Sequence, residues 1–140
     1  MTLFAGFAPA TEELLDGRNF ATLATINPDG GPQTSVVGFE REGDTLLISV
    51  TSARKKARNI ERDPRVSLTV FDQGNPYRSA EIRGTAERLP DPDKVLPKRL
   101  SQRCPAEDPP AGSPEERRLI VRVTPERVND FAAQVPAPDA

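Results

Sequence analysis

Thr45–Leu46–Leu47–Ile48–Ser49–Val50–Thr51–Ser52–Ala53–Arg54–Lys55–Lys56–Ala57–Arg58–Asn59 sets a strand and a helix end to end, and the join between them is the informative point. The apolar, β-branched run predicts a strand over 45–50. A helix around Ala53–Arg62 follows, with Ala53, Ala57 and Ile60 on one apolar stripe. Asp63–Pro64 ends it, because the residue before proline disfavours the helical region. The first turn of a helix carries partial positive charge and free N–H groups, so each cation there costs about 0.3–1 kcal/mol. Arg54, Lys55 and Lys56 occupy that turn in a row, an arrangement that makes physical sense when an anion sits among them. Between Arg54 and Arg65 six cations face only Glu61 and Asp63, in a chain whose net charge is −2.

Working outward, Pro9–Gly17 predicts a short opening helix with Thr11 as N-cap and Gly17 as its stop. Strands are expected over 19–26 and 33–39, joined by the turn Asn27–Gly31, and a tight turn at Gly43–Asp44 leads into the strand at 45–50. These three read as a meander. Further strands are expected at 65–71 and 77–89, the second crossed by Gly84, where a bulge or a bend is implied. Asp93–Arg103 predicts a weak helix broken at Pro97, and Cys104–Pro114 a proline-rich loop. Arg118–Thr124 is a late strand, 125–127 a turn, and 128–131 a final short strand. One domain over 1–133 and a mobile tail over 134–140 follow.

Composition narrows the chemistry. The 140 residues contain no histidine and a single cysteine, Cys104. That removes Ser-His-Asp and Cys-His catalysis, histidine-ligated metals and an internal disulfide. No cluster of carboxylates at ligand spacing appears, so no metal site is expected. An enzyme with these residues takes its chemistry from an organic cofactor. The negative charge and the 5% aromatic content argue against nucleic-acid binding. No apolar run reaches the roughly 20 residues of a membrane helix, and no cationic signal start is seen, so a cytoplasmic location and no membrane contact are expected.

Six or seven short strands with few helices predict a mainly β protein, a closed or half-closed antiparallel barrel. Leu46, Leu47 and Ile48 run together, so that strand is expected to bury both faces, the outer one against a second copy in a symmetric homodimer.

The order of motifs resembles one superfamily. Phe20–Ala–Thr–Leu–Ala–Thr25, Pro28–Asp–Gly–Gly–Pro–Gln33, the Arg–x–Lys–x–Arg–Asn of residues 54–59, Arg62–Asp–Pro–Arg–Val–Ser–Leu68, Asn75–Ala86 and Leu119–Val128 together look like the pyridoxamine 5'-phosphate oxidase-like split β-barrel proteins. Within it the chain looks most similar to the class that uses the deazaflavin coenzyme F420. The resemblance covers about residues 12–131 and implies a dimeric split antiparallel β-barrel (FMN-binding split barrel-like) with cofactors in clefts between the subunits.

The resemblance also implies roles. Arg54, Lys56 and Arg58 match the positions that hold the cofactor phosphate, while Gln33, Ser35, Ser49 and Thr51 come near the polar edge of the ring. Tyr77 and Arg78 match a segment that reaches the cleft from the other subunit. Tyr77 either gates the cleft or packs at the dimer seam, and is the one candidate catalytic side chain. Asn59 either contacts cofactor or caps local backbone. Arg62 and Arg65 read as surface or ion-pair residues. Gly38–Phe39 stands where some relatives have an aromatic or a histidine. The implied function is an F420-dependent oxidoreductase passing hydride between the reduced cofactor and a small organic substrate. FMN use, as in the oxidase relatives, and a non-catalytic cofactor-binding barrel are the alternatives.

Overall fold

A computed structural model describes residues 2–103 and 117–132. The chain runs β1 (Thr2–Leu3), α1 (Pro9–Asp16), β2 (Ala21–Ile26), β3 (Pro32–Val37), β4 (Phe39–Glu42), β5 (Thr45–Thr51), α2 (Lys55–Arg62), β6 (Arg65–Asp72), β7 (Asn75–Pro90), α3 (Val95–Arg103) and β8 (Arg118–Ala132). The expected loop at 104–114 and the tail from 134 lie outside the described residues.

All pairings are antiparallel, in the order β3-β2-β6-β7-β8-β5-β4, with β1 added to β8. The expected strand over 33–39 is two strands, and no meander forms. β3 pairs with β2 and β4 with β5, so one stretch of chain, broken only at Gly38, supplies both edges of the curled sheet. The barrel is thus closed covalently at that seam rather than by a ladder, which is the split. At Gly43 the φ of +59° suits the first loop position of a two-residue II′ hairpin.

Alternation puts Leu23, Leu46, Ile48, Leu68, Ile82 and Val121 inside, each 0% exposed. The two barrel ends are closed by helices. Leu14 and Leu15 of α1 plug one, Ala57 and Ile60 of α2 the other. Ala53, expected on the α2 stripe, is exposed and precedes the helix, because the chain is still turning at Ser52–Arg54.

Three local expectations are corrected. Thr11 is no cap: Pro9 opens α1 behind Ala8, and Thr11 lies within the helix, donating to Asp130 Oδ1 at 2.6 Å. Pro97 does not break α3, since it sits in the first turn, where its missing N–H costs nothing. Asp91 caps that turn instead, accepting from the Val95 and Leu96 N–H groups at 3.0 Å. Pro125 begins no turn; β8 passes through it, with a bulge where Arg83 pairs with Arg127 and Gly84 with Pro125. The bulge expected at Gly84 is there.

Leu47 does turn outward and is 4% exposed, yet its cover is intramolecular: α3 packs on β5, with Leu96 fully buried. The apolar run at 46–48 therefore carries no argument for a second chain. The outer face that α3 leaves bare is elsewhere. Phe71 faces Ser79, which faces Phe131, in one row across β6, β7 and β8. With Phe20, Val36 and Tyr77, the two phenylalanines of this row leave five large apolar or aromatic side chains at 40–71% exposure on one side of the sheet.

Candidate functional site

The join of β5 to α2 builds the site. The Arg54 N–H donates to the Thr51 oxygen at 3.1 Å, turning the chain so that α2 begins over the barrel end. Arg54 occupies the cap position without a capping side-chain bond, and the first turn holds no carboxylate. Its free N–H groups and dipole therefore point at open space among cations. Arg54, Lys55, Lys56 and Arg58 have no ion-pair partner among the described residues. By contrast, Arg65 pairs with Asp63 at 2.8 Å, and Arg62 donates to the Ile26 oxygen and to Asn59 Oδ1.

Of the four unpaired cations, Lys56 alone is half-buried; the other three are exposed. Burial first, and the neighbouring Arg54 cation second, push its ammonium below the usual lysine range. A half-buried cation lacking a carboxylate is a place where an anion would be favoured.

The polar strand residues fall on different faces. Gln33 and Ser35 pair with Thr25 and Leu23 and so share the inner face of the barrel wall. Ser49 and Thr51 alternate with the buried Ile48 and Val50, and turn outward. Two of these four, Ser35 and Thr51, have buried hydroxyl oxygens with no hydrogen-bond partner. Orphaned buried hydroxyls are costly and mark a place where a ligand's polar edge would complete the bonding. Gln33 Oε1 accepts from the Thr25 hydroxyl at 2.6 Å. Asn59 is 1% exposed, with its amide spent on Thr25, Asn27 and Arg62 inside the protein. It holds α2 on the β2–β3 hairpin rather than reaching outward.

Tyr77 and Arg78 lie at the other end of the barrel. Arg78 donates to the Ala10 oxygen of α1 at 2.8 Å and pairs with Asp72 at 3.5 Å. Tyr77 precedes by nine residues the point on β7 where the Ala86 N–H meets the Pro64 oxygen beyond α2. At 3.3 Å per residue that is roughly 30 Å along the strand. Within one chain, Tyr77 and Lys56 share no site.

Two residues absent from the sequence reading join the basic face. The Arg117 oxygen accepts from Ser52 N–H at 2.8 Å, and its own N–H donates to Ser52 Oγ at 3.1 Å. Arg118 stands opposite Thr51 and reaches toward Ser49 Oγ at 3.5 Å. The only signal that could have found them was the pairing of β5 with β8. A groove of about 220 Å³ lined by Phe20, Thr22, Val36 and Phe71 lies apart from these cations, on the bare outer face of the sheet.

Comparisons with known proteins fit this geometry. The pyridoxamine 5'-phosphate oxidase family model matches residues 7–132. Pyridoxine/pyridoxamine 5'-phosphate oxidases of Kineococcus radiotolerans and Thermobifida fusca are 31% and 33% identical, over 61% and 62% of this chain. The chain matches only 38–39% of the length of those two relatives. A solved F420 reductase is 37% identical, with a TM-score of 0.76, covering 84% of this chain and 94% of its own. A conserved hypothetical protein of Mycobacterium tuberculosis shares the fold at 20% identity, with a TM-score of 0.73 over 100% of this chain and 99% of its own. Among the described residues no helix is long and apolar enough to cross a membrane. With a matching family model across nearly all of its described residues, a split barrel and a cation-rich helix start, the chain belongs to the pyridoxamine 5'-phosphate oxidase family.

Proposed function

We propose that this protein is an F420-dependent oxidoreductase acting on a small organic molecule as a homodimer. The observation that carries the reading is Lys56, half-buried at a carboxylate-free helix start and without an ion-pair partner among the described residues. That ammonium and the free N–H groups of the helix start suit a cofactor phosphate. The identity to an F420 reductase over most of both chains supports the choice of cofactor.

When bound, the coenzyme supplies a hydride. The chain's own residues then have three tasks. Lys56, Arg54, Arg58 and the first N–H groups of α2 hold the phosphate. Gln33, Ser35, Ser49 and Thr51 orient the ring, and the barrel wall keeps water from one face of it. With no histidine in the chain, the proton comes from water or from the Tyr77 hydroxyl.

The dimer reading rests on two observations. Phe20, Val36, Phe71, Tyr77 and Phe131 leave an apolar face bare on the outside of the sheet. Tyr77 and Arg78 also lie far from Lys56 in their own chain, so they contribute to its site only from a second copy.

FMN has the same phosphate and is the second reading, favoured by the family's oxidase relatives. F420 differs beyond the phosphate, in a lactyl and oligoglutamate tail bearing further carboxylates. With Lys56 on the phosphate, Arg54, Lys55 and Arg58 exceed what one phosphate needs. Fluorescence titration with each cofactor at two salt concentrations tests the choice. F420 should bind more tightly and lose affinity more steeply with salt. Equal dissociation constants with equal salt dependence would overturn it.

A further inference from the structure

A series of hydrogen bonds beneath α2 has its direction fixed at one end. The guanidinium of Arg62 can only donate. It donates to the Ile26 oxygen and to Asn59 Oδ1, the latter at 3.2 Å. Asn59 therefore turns its oxygen toward Arg62 and its Nδ2 toward the β2–β3 hairpin. There it donates to Asn27 Oδ1 at 3.1 Å and to Thr25 Oγ1 at 3.0 Å. Thr25, 1% exposed, has one hydroxyl proton, and it goes to Gln33 Oε1 at 2.6 Å. The reverse direction would set the Asn59 NH2 against the Arg62 guanidinium, donor against donor.

The consequence falls on Gln33. Its carboxamide is held with the oxygen inward and the NH2 outward. One N–H reaches the Thr34 oxygen at 3.2 Å, and the other has no partner among the described residues. A glutamine without such an anchor presents either end of its amide to a ligand. Lys56 precedes Asn59 by three residues, one helical turn away on a neighbouring position. The residue that sets the amide's direction thus also fixes the helix that bears the half-buried lysine.

We infer that Arg62, Asn59 and Thr25 are positioning residues that make Gln33 a fixed hydrogen-bond donor to an acceptor oxygen, carbonyl or anionic, on the ligand. The inference deepens the reading of β3 as a wall of the cofactor site and rests on it. It assigns Gln33 a ligand oxygen rather than a ligand N–H.

Side-chain amide exchange by NMR, in the protein without added cofactor, tests the direction first. The Asn59 NH2 should exchange slowly, both its hydrogens being bonded in the interior, and the Gln33 NH2 much faster. A Gln33 NH2 protected as strongly as that of Asn59 would mean that it points inward, and would overturn the inference. Titration with F420 then tests the consequence. Gln33→Ala should weaken binding about fivefold, the worth of one neutral hydrogen bond. Thr25→Val should match it, Thr25→Ser should restore wild-type affinity, and the double variant Thr25→Val/Gln33→Ala should be no worse than Gln33→Ala. Additive losses in the double variant would overturn the positioning role. Should Thr25→Val fail to fold, Gln33→Glu decides, since it keeps the acceptor for Thr25 and removes the donor; wild-type affinity in that variant would overturn the donor role. If the wild-type protein binds neither F420 nor FMN, the cofactor reading fails, and the exchange rates still decide which way Gln33 points.

Discussion

Arg118 stands directly opposite Thr51 across the ladder joining β5 to β8, with its guanidinium 3.5 Å from Ser49 Oγ. The pairing carries a cation from the last strand to the point where the chain enters α2. Arg117 is fastened beside it by two bonds to Ser52. The basic face at the helix start is therefore assembled from two segments remote in sequence.

Removing that remote contribution should be measurable. Arg118→Ala is expected to weaken F420 binding by about three- to tenfold and to flatten its salt dependence, since one fewer cation is screened. Titrations at low and high salt check this. A salt response identical to wild type would remove Arg118 from the site.

Lys56→Ala should cost more, roughly ten- to a hundredfold in affinity for a phosphate-bearing cofactor, because a charge-assisted bond is lost. Lys55→Ala, at an exposed neighbouring position, is the control. Thermal melts should show both variants folded. Equal, negligible losses would return the cluster to an ordinary solvated face.

Lys56 also sets a pH signature. Its folded-state pKa lies below the ordinary 10.5, through burial and then through Arg54. Phosphate binding needs the ammonium, so affinity is full below that lowered value and falls as pH rises through it. Stability moves the other way. The buried charge is unfavourable while protonated, so unfolding free energy rises between the lowered value and 10.5. Lys56→Arg, charged throughout this range, should abolish the alkaline loss of binding. A binding profile unchanged by that substitution would count against Lys56 as the phosphate ligand.

Gly84 is required by close approach of backbone. A Cβ there would stand 2.1 Å from the Thr124 oxygen and 3.0 Å from Pro125 Cα. Neither can retreat without opening the β7–β8 ladder. Gly84→Ala should destabilise by more than about 4 kcal/mol, read by urea denaturation. Gly38→Ala is the comparison: no atom lies within 4 Å of its Cβ position, and a change within about 0.5 kcal/mol is expected.

Phe71→Glu places a carboxylate in the bare aromatic row and should yield a monomer by light scattering at micromolar concentration. Cofactor affinity should fall with it, because Tyr77 and Arg78 would no longer arrive from a second copy. A dimer that survives the change would move the interface elsewhere.

Much of the architecture was legible because it depends on local chemistry. Gly43, the Asn27–Gly31 turn and Asp63–Pro64 punctuate the chain wherever a strand or helix ends. The helix start crowded with cations was legible too, since charge against a dipole is a matter of adjacent residues. Leu47 shows the limit. Burial of both faces of β5 was read correctly, but α3, about a third of the chain away, supplies the cover that a second subunit was expected to provide. Pro97 and Pro125 mislead for a related reason. A proline's effect depends on whether its missing N–H had a partner to lose, and only the register and the helix start answer that.

By itself, then, the sequence determined a small β-rich domain, the positions of its turns and a helix start crowded with cations, because propensity, period and local charge act over a few residues. The tertiary structure alone decided which polar side chains are spent and which are free. Asn59 and Gln33 look alike as sequence, yet one is saturated by Thr25, Asn27 and Arg62, while the other keeps an N–H to offer. Hydrogen bonds are short and directional, so their allocation waits on the fold that brings distant partners within 3 Å or so of each other.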